Sequence, residues 1–377
     1  MKKGIALHAF GGTKWIGGVY YIRNIAYMLS CNSELNSRYN IFIFTQRELK
    51  EAFCDMPRNI RICFDNNKKI SKFLRIIKYK FLRVKIVFPV ERDLRRLGIN
   101  SVNWIADFQH KHLPDLFSEG EIEKRERRNL DAIASNNALI LSSKDCLKDY
   151  RTFYSSEKSK VYVVPFVSYI SPIIRSLQVD EEQEILNKYN VKGKRYACVM
   201  NQFWQHKNHL VVFQALEYLF RDYPDCGVHV LFTGKMEDFR NPEYIKSLKE
   251  YAQKPTIAPH IDILGFISRR EQITIMKNSQ FVIQPSLFEG WGTVVEDAKV
   301  LDKTILLSDI PVHREQMNEK CTLFSPHNAR ELEELIIEEF KKEHNDNIEF
   351  GIEDMKNRSK EYSNSFAKLV MDLEREK

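Results

Sequence analysis

Strand-length runs rich in apolar residues, each followed by a stretch of helical periodicity, recur along this chain in two successive series. The first series of runs lies at 5–10, 41–45, 60–64, 102–105, 138–141 and 161–165. Between them, Ile22, Ile25, Ala26 and Leu29 fall at i, i+3, i+4 and i+7, and 144–153 reads as a helix behind the cap Ser143. The stretch 168–194 is a connector with Pro172, an acidic helix at 181–188 and the turn Val191-Lys-Gly-Lys194. The alternation then restarts, with strands expected at 196–200, 228–233, 261–264, 281–284 and 304–307 and helices at 210–220, 293–301 and 331–340. Strand–helix alternation of this kind builds a parallel sheet covered on both faces. The expectation is α/β, with two doubly wound domains at 1–172 and 173–352. A terminal helix at 353–377 has Tyr362, Phe366, Leu369, Val370 and Leu373 on one face. That face needs a surface to cover, and periodicity does not say which domain provides it; packing back on the N-terminal domain is the expectation.

Composition removes other classes. At 377 residues, with 43% apolar and 29% charged, the chain is neither disordered nor collagen-like. It holds no run of about twenty apolar residues that would span a bilayer. The first apolar run is too brief for a signal-peptide core, so a cytoplasmic location is expected. The seven cysteines are scattered, odd in number and without a C-x-x-C pair, which argues against a disulfide framework or a zinc cluster. Net charge is +7, yet 68–96 alone carries eleven Lys or Arg against Glu91 and Asp93, or +9, leaving −2 for the rest. One patch is basic; the protein is not.

Open parallel sheets bind ligands beyond the carboxyl ends of their strands. Three post-strand loops therefore matter. In Gly11-Gly-Thr-Lys-Trp-Ile-Gly17-Gly18, paired glycines let backbone approach a ligand, although a tight turn accounts for them equally. In Asn201-Gln202-Phe-Trp-Gln-His-Lys207-Asn208, a lysine stands at a helix start that Asn208 could cap, where amides and dipole already favour a phosphate. The alternative there is a solvated lysine. In Pro285-Ser-Leu-Phe-Glu289-Gly290-Trp291-Gly292-Thr293-Val-Val-Glu-Asp297, acids flank a glycine-bounded aromatic. At 100° per residue Glu296 points away from the apolar stripe and should be solvated, while Asp297 should face the loop.

These residues resemble the retaining glycosyltransferases of the GT-B fold, in the large family-four group that uses nucleotide sugars. The likeness lies in the Gly17-Gly18 loop, in Lys207-Asn208, in the signature P-S-x-x-E-G-F/W-G-x-x-x-x-E matched by 285–297, and in the text around Ser308-Asp-Ile-Pro-Val-His-Arg314-Glu315. It implies two Rossmann-like domains facing across a cleft, the first for the acceptor and the second for the donor. It also implies transfer from a nucleotide sugar to a saccharide or lipid-linked saccharide, in bacterial surface polysaccharide (O-antigen, lipopolysaccharide or capsule) biosynthesis. Lys207 would bind the donor diphosphate, Glu289 the sugar hydroxyls and Asp297 the ribose. Asn201, Gln202 and the Gly290–Thr293 backbone would line the donor, and His110, after the strand at 102–105, would stand near the donor sugar. His110 as a structural histidine is the competing reading, and Arg314-Glu315 is a weaker candidate for donor-side support. His8, inside the first strand, reads as a core histidine.

Two departures stand out. The family's second glutamate is Asp297 here, and its Arg five residues before the Lys is Gln202. No D-x-D pair occurs, so a metal is not expected, and no cofactor is implied beyond the nucleotide sugar as substrate. A nucleotide-sugar 2-epimerase would share the fold.

The basic stretch interleaves cations with Ile70, Phe73, Leu74, Ile76, Ile77, Phe81 and Leu82. A basic amphipathic helix of this kind seeks a membrane surface, and Lys72, Arg75, Lys78 and Lys80 are its expected contacts on the cytoplasmic face of the inner membrane. A solvated helix packed on its domain is the alternative. A nucleic-acid-binding module would draw on the same patch, but no stacking motif accompanies it elsewhere, and no nucleic acid partner is expected.

Overall fold

The structure, a computed structural model, describes residues 2–9, 16–64, 69–90, 93–135, 138–154 and 160–375, with the side chains of 69–73 left aside. The chain divides into two compact units, Met1–Phe108 with Gly120–Tyr169 and Asp354–Lys377, and Gln109–Glu119 with Ile170–Glu353.

The first unit carries β1 (Lys3–His8), β2 (Tyr39–Thr45), β3 (Ile60–Phe64), β4 (Val84–Phe88), β5 (Asn100–Ile105), β6 (Ala138–Leu141) and β7 (Val161–Val163). They form one sheet in the order β3-β2-β1-β4-β5-β6-β7, and every pairing is parallel. The second unit carries β8 (Ala197–Val199), β9 (Val230–Phe232), β10 (Ile261–Ile263), β11 (Phe281–Gln284), β12 (Thr304–Ser308) and β13 (Cys321–Phe324). Its sheet runs β10-β9-β8-β11-β12-β13, again parallel throughout. Both orders run outward from the first strand one way and then reverse, which is the doubly wound Rossmann-like order. The fold is thus the α/β, two-domain architecture read from the alternation. Parallel strands covered on both faces need apolar residues on both sides, and Ile5, Ala6, Leu7, Val230, Leu231, Phe232, Ile305, Leu306 and Leu307 are all fully buried.

Several strands and one helix fall where the sequence placed them: Ile60–Phe64, Ala138–Leu141, Phe281–Gln284 and the helix Lys144–Phe153, whose cap Ser143 accepts from the Cys146 amide at 3.0 Å. Two strands escaped the sequence reading. β4 lies inside the basic stretch, where cations hid a five-residue run whose Ile86, Val87 and Phe88 are buried beside β1. β13 is a short edge strand, Cys-Thr-Leu-Phe, with too little alternation to announce itself. Gly17 and Gly18 are not loop residues: they lie in the first turn of the helix Ile16–Cys31, and the loop before it, 10–15, lies outside the described residues. His8, read as a core histidine, ends β1 and is only partly buried, with its Nε2 2.5 Å from the Tyr79 hydroxyl and its ring stacked 5.2 Å from Phe44.

The last helix, Ile348–Arg375, begins among residues of the second unit, and from Asp354 onward it belongs to the first. There Phe366, Leu369 and Val370 are fully buried, with the Phe366 ring 5.9 Å from Phe88 and the Tyr162 hydroxyl donating to Asp372 at 2.8 Å. Among the described residues, no helix is long and apolar enough to cross a membrane.

Candidate functional site

In the second sheet the strand order reverses between β8 and β11. The loops that leave these two neighbours therefore emerge side by side. The first carries Lys207 and the second Glu289, and the Lys207 ammonium donates to Glu289 Oε1 at 2.5 Å. Both side chains are largely covered, at 16% and 10% exposure.

Each is held by its loop. Lys207 ends the short turn Gln205–Lys207, followed by Asn208 at φ 56°. Asparagine tolerates this left-handed conformation. Its side chain does not cap the following helix, as the sequence suggested; Nδ2 donates instead to the Pro285 and Pro326 carbonyls at 3.1 and 2.7 Å. That bond, with the Leu287 amide donating to the His206 carbonyl at 2.8 Å, ties the two loops together. Glu289 Oε1 also accepts from Ser286 Oγ at 2.8 Å and Gln284 Nε2 at 3.0 Å. Asn201 Nδ2 donates to Gln284 Oε1 at 2.8 Å, so this predicted donor contact serves the network behind Glu289. Gln202 is partly exposed in the same loop.

Electrostatics fix the charge states. Burial works to raise the Glu289 carboxyl, but the Lys207 ammonium and the bonds from Lys207 and Ser286 outweigh it and hold the acid below its ordinary value. The site therefore pairs a carboxylate with an ammonium. The Glu289 bond uses one of the three ammonium protons, so Lys207 can also donate to an anion.

His313 and Ser308, whose residues the sequence reading quoted only as a string, complete the floor. Ser308 Oγ donates to the Ser286 carbonyl at 2.6 Å, and His313 Nδ1 donates to the Ser308 carbonyl at 2.9 Å. A carbonyl only accepts, so the proton sits on Nδ1, and Nε2 is a buried acceptor with no partner among the described residues. Burial pushes this imidazole down to about 4, and Glu289 pulls the other way. His209, stacked 4.0 Å from Phe203, is pushed down to about 3 by burial and by the Lys207 charge. The unfolded chain takes up these protons near 6.5, whereas the folded protein does not. Stability is therefore full above that value and falls as the pH drops toward 4. Urea unfolding at pH 7.5 and 5.0 should differ by about 2 kcal/mol for each histidine, and His313→Gln should reduce the difference. A flat profile would contradict the buried neutral state.

The acids of the helix Thr293–Val300 depart from expectation. Glu296 is not solvated: it is fully buried and accepts from Gln316 Nε2 at 3.1 Å. A second layer, the helix Pro311–Gln316, covers the face that periodicity assigned to water. Asp297 is also fully buried, and Arg269 Nη2 donates to its Oδ1 at 2.5 Å. Within Gly290–Thr293, the Gly292 amide is already spent on Gln316 Oε1 at 2.8 Å. Trp291 is buried, while Gly290 and Thr293 are partly exposed. Arg314 is exposed and pairs with Asp309. His110 is buried in the short helix Gln109–His112, and His112 sets its ring 5.2 Å from Phe288, the residue before Glu289. The Lys72 side chain lies outside the described set; Lys78 and Lys80 are exposed and Arg75 is half-buried.

The Asn201 loop requires a glycine at position 234. Gly234 has φ +114°, and a Cβ there would stand 2.2 Å from the Asn201 carbonyl oxygen. Gly234→Ala should cost about 2–4 kcal/mol in urea unfolding, because both the dihedral and the contact oppose it. An unchanged midpoint would mean that the loop has room to spare.

Residues 181–360 match the family model of the glycosyl transferases group 1. Lys207, Glu289, Asp297 and His313 all lie in the matched segment; Gly17, Gly18 and His110 lie outside it. None of the curated proteins matches the chain. Among solved structures, a glycosyltransferase from Rickettsia africae is similar over 99% of this chain and 97% of its own, at 16% identity and a TM-score of 0.63. Anabaena Alr3699/HepE in complex with UDP-glucose is similar over 99% of both chains, at 13% identity and a TM-score of 0.66. WaaG, a glycosyltransferase involved in lipopolysaccharide biosynthesis, is similar over 96% of this chain and 95% of its own, at 12% identity and a TM-score of 0.58. At such identities the likeness is one of fold, the GT-B fold of two Rossmann-like domains.

Proposed function

We propose that the chain transfers a sugar from a nucleotide-sugar donor to a saccharide or lipid-linked saccharide acceptor, with retention at the anomeric carbon. The observation that carries this reading is the Lys207–Glu289 pair, set by two loops at the reversal of strand order inside the segment that matches the glycosyltransferase family. Lys207 meets the donor diphosphate, and Glu289, kept ionised, accepts from sugar hydroxyls. As the bond from the anomeric carbon to the diphosphate oxygen breaks, the diphosphate leaves with the electron pair, and Lys207 stabilises the charge that gathers there. The acceptor oxygen bonds to the same face of that carbon and gives its proton to the leaving diphosphate. The cation needed in this step is an amine, so turnover should survive EDTA. Supporting the choice of donor, a similar fold has been solved with UDP-glucose bound.

The test is a thermal-shift panel of UDP-, GDP-, dTDP- and ADP-sugars. A ligand that binds only the folded protein stabilises it by mass action, by about 2.7 kcal/mol at a hundred times its Kd, and so raises the midpoint. One base should stand out. No shift with any donor at millimolar concentration would overturn the proposal.

A further inference from the structure

Lys69–Phe81 is a helix with two apolar sides, and its own domain covers one of them. Tyr79 is 3% exposed and anchors the helix to His8 and to Phe44, whose ring lies 5.3 Å away. Leu74, Ile77 and Phe81 follow one another at spacings of three and four. At 100° per residue they fall within about 60° of each other and roughly opposite Tyr79. They are 51%, 48% and 85% exposed. Lys78 and Lys80 are exposed on either side of this stripe, and the exposed Arg83 follows at its end.

A solvated helix has no reason to keep three large apolar residues in line on its outer face. From this geometry we infer that the stripe docks on a membrane surface bearing anionic head groups. Leu74, Ile77 and Phe81 enter the head-group boundary, while Lys78, Lys80 and Arg83 reach the phosphates beside them. Charge complementarity selects this occupant: the segment 68–96 carries +9 in a chain whose remainder sums to −2. At 13 residues the helix lies in the interface and does not cross it.

The inference stands apart from the donor chemistry and is read without substrate. The full chain is floated with vesicles of phosphatidylcholine alone and of phosphatidylcholine with one-third phosphatidylglycerol, at low and high salt. It should float with the anionic vesicles and lose this on adding salt. Ile77→Ser/Phe81→Ser should reduce the floated fraction at least ten-fold, as should Lys80→Glu/Arg83→Glu, since each cation near such a leaflet is worth roughly a five-fold change in partitioning. These positions are exposed, so the melting midpoints of both variants should match the parent, and that is measured alongside. Equal flotation of parent and variants overturns the inference. So does a dimer of the parent that Ile77→Ser/Phe81→Ser converts to monomer, which would make the stripe a contact between copies. Salt-sensitive retention of nucleic acid, lost in Lys80→Glu/Arg83→Glu while flotation persists, overturns it as well.

Discussion

Lys207→Ala should abolish the donor-induced thermal shift and lower kcat/KM by about 10²–10³-fold, the usual loss when one fixed donor to a developing anion is removed. The ammonium has two tasks. It faces the leaving diphosphate in the proposed reaction, and it holds Glu289 ionised across a 2.5 Å contact. Removing it leaves a buried carboxylate with only neutral donors, so the acid should rise toward and above its ordinary value. Glu289→Ala should also abolish turnover, for a different reason: Lys207 remains available to the diphosphate, but the sugar loses its acceptor. The double variant should be no worse than the poorer single one, because the two act as a unit. Turnover of Lys207→Ala within five-fold of the parent would sink the assignment.

Asp297→Ala should strongly destabilise the second unit. It leaves the Arg269 guanidinium, 14% exposed, with its bond to Gln272 Oε1 at 2.8 Å but without the carboxylate that balances its charge. Breaking a buried pair from one side costs about 3–5 kcal/mol, which in a domain of this size lowers the midpoint by about 6–20 °C. Arg269→Met added to Asp297→Ala should recover much of that loss, since an apolar pair leaves no charge behind. The double variant also separates two roles. If Asp297 contacts the donor ribose as well as Arg269, stability returns while donor affinity does not; if the carboxylate serves only its cation, both return. Calorimetry and the thermal-shift panel read the two effects. An Asp297→Ala protein that melts within 2 °C of the parent would show that the pair carries little.

Much of the second unit was legible before any coordinates. Apolar runs bounded by turn residues located β11 and β12, and the post-strand position of Lys207 and Glu289 marked them as ligand-facing. Misreadings came where a segment's surroundings, not its own pattern, set its environment. Glu296 is polar by periodicity and buried in fact, because a helix fifteen residues further on lies over it. Val84–Phe88 looked like part of a cationic surface and is a central strand. His313 stood inside a string that resembles the family but was not singled out, since one histidine in a short helix is unremarkable until its Nδ1 is seen pinned and its Nε2 buried.

The amino-acid order by itself determined most of the strands and helices, that the strands run parallel, and which loops of the second unit carry the amine and the acid. These are local matters: apolar residues at period two or 3.6 must find cover, and helical crossovers force parallel pairing. Tertiary structure alone decided which strands are neighbours. Setting β8 against β11 brings together two side chains 82 residues apart, and pairing Asp297 with Arg269 commits an acid that local pattern left facing a loop. Such contacts depend on layers stacked from distant parts of the chain, and periodicity within one element carries no record of what will cover it.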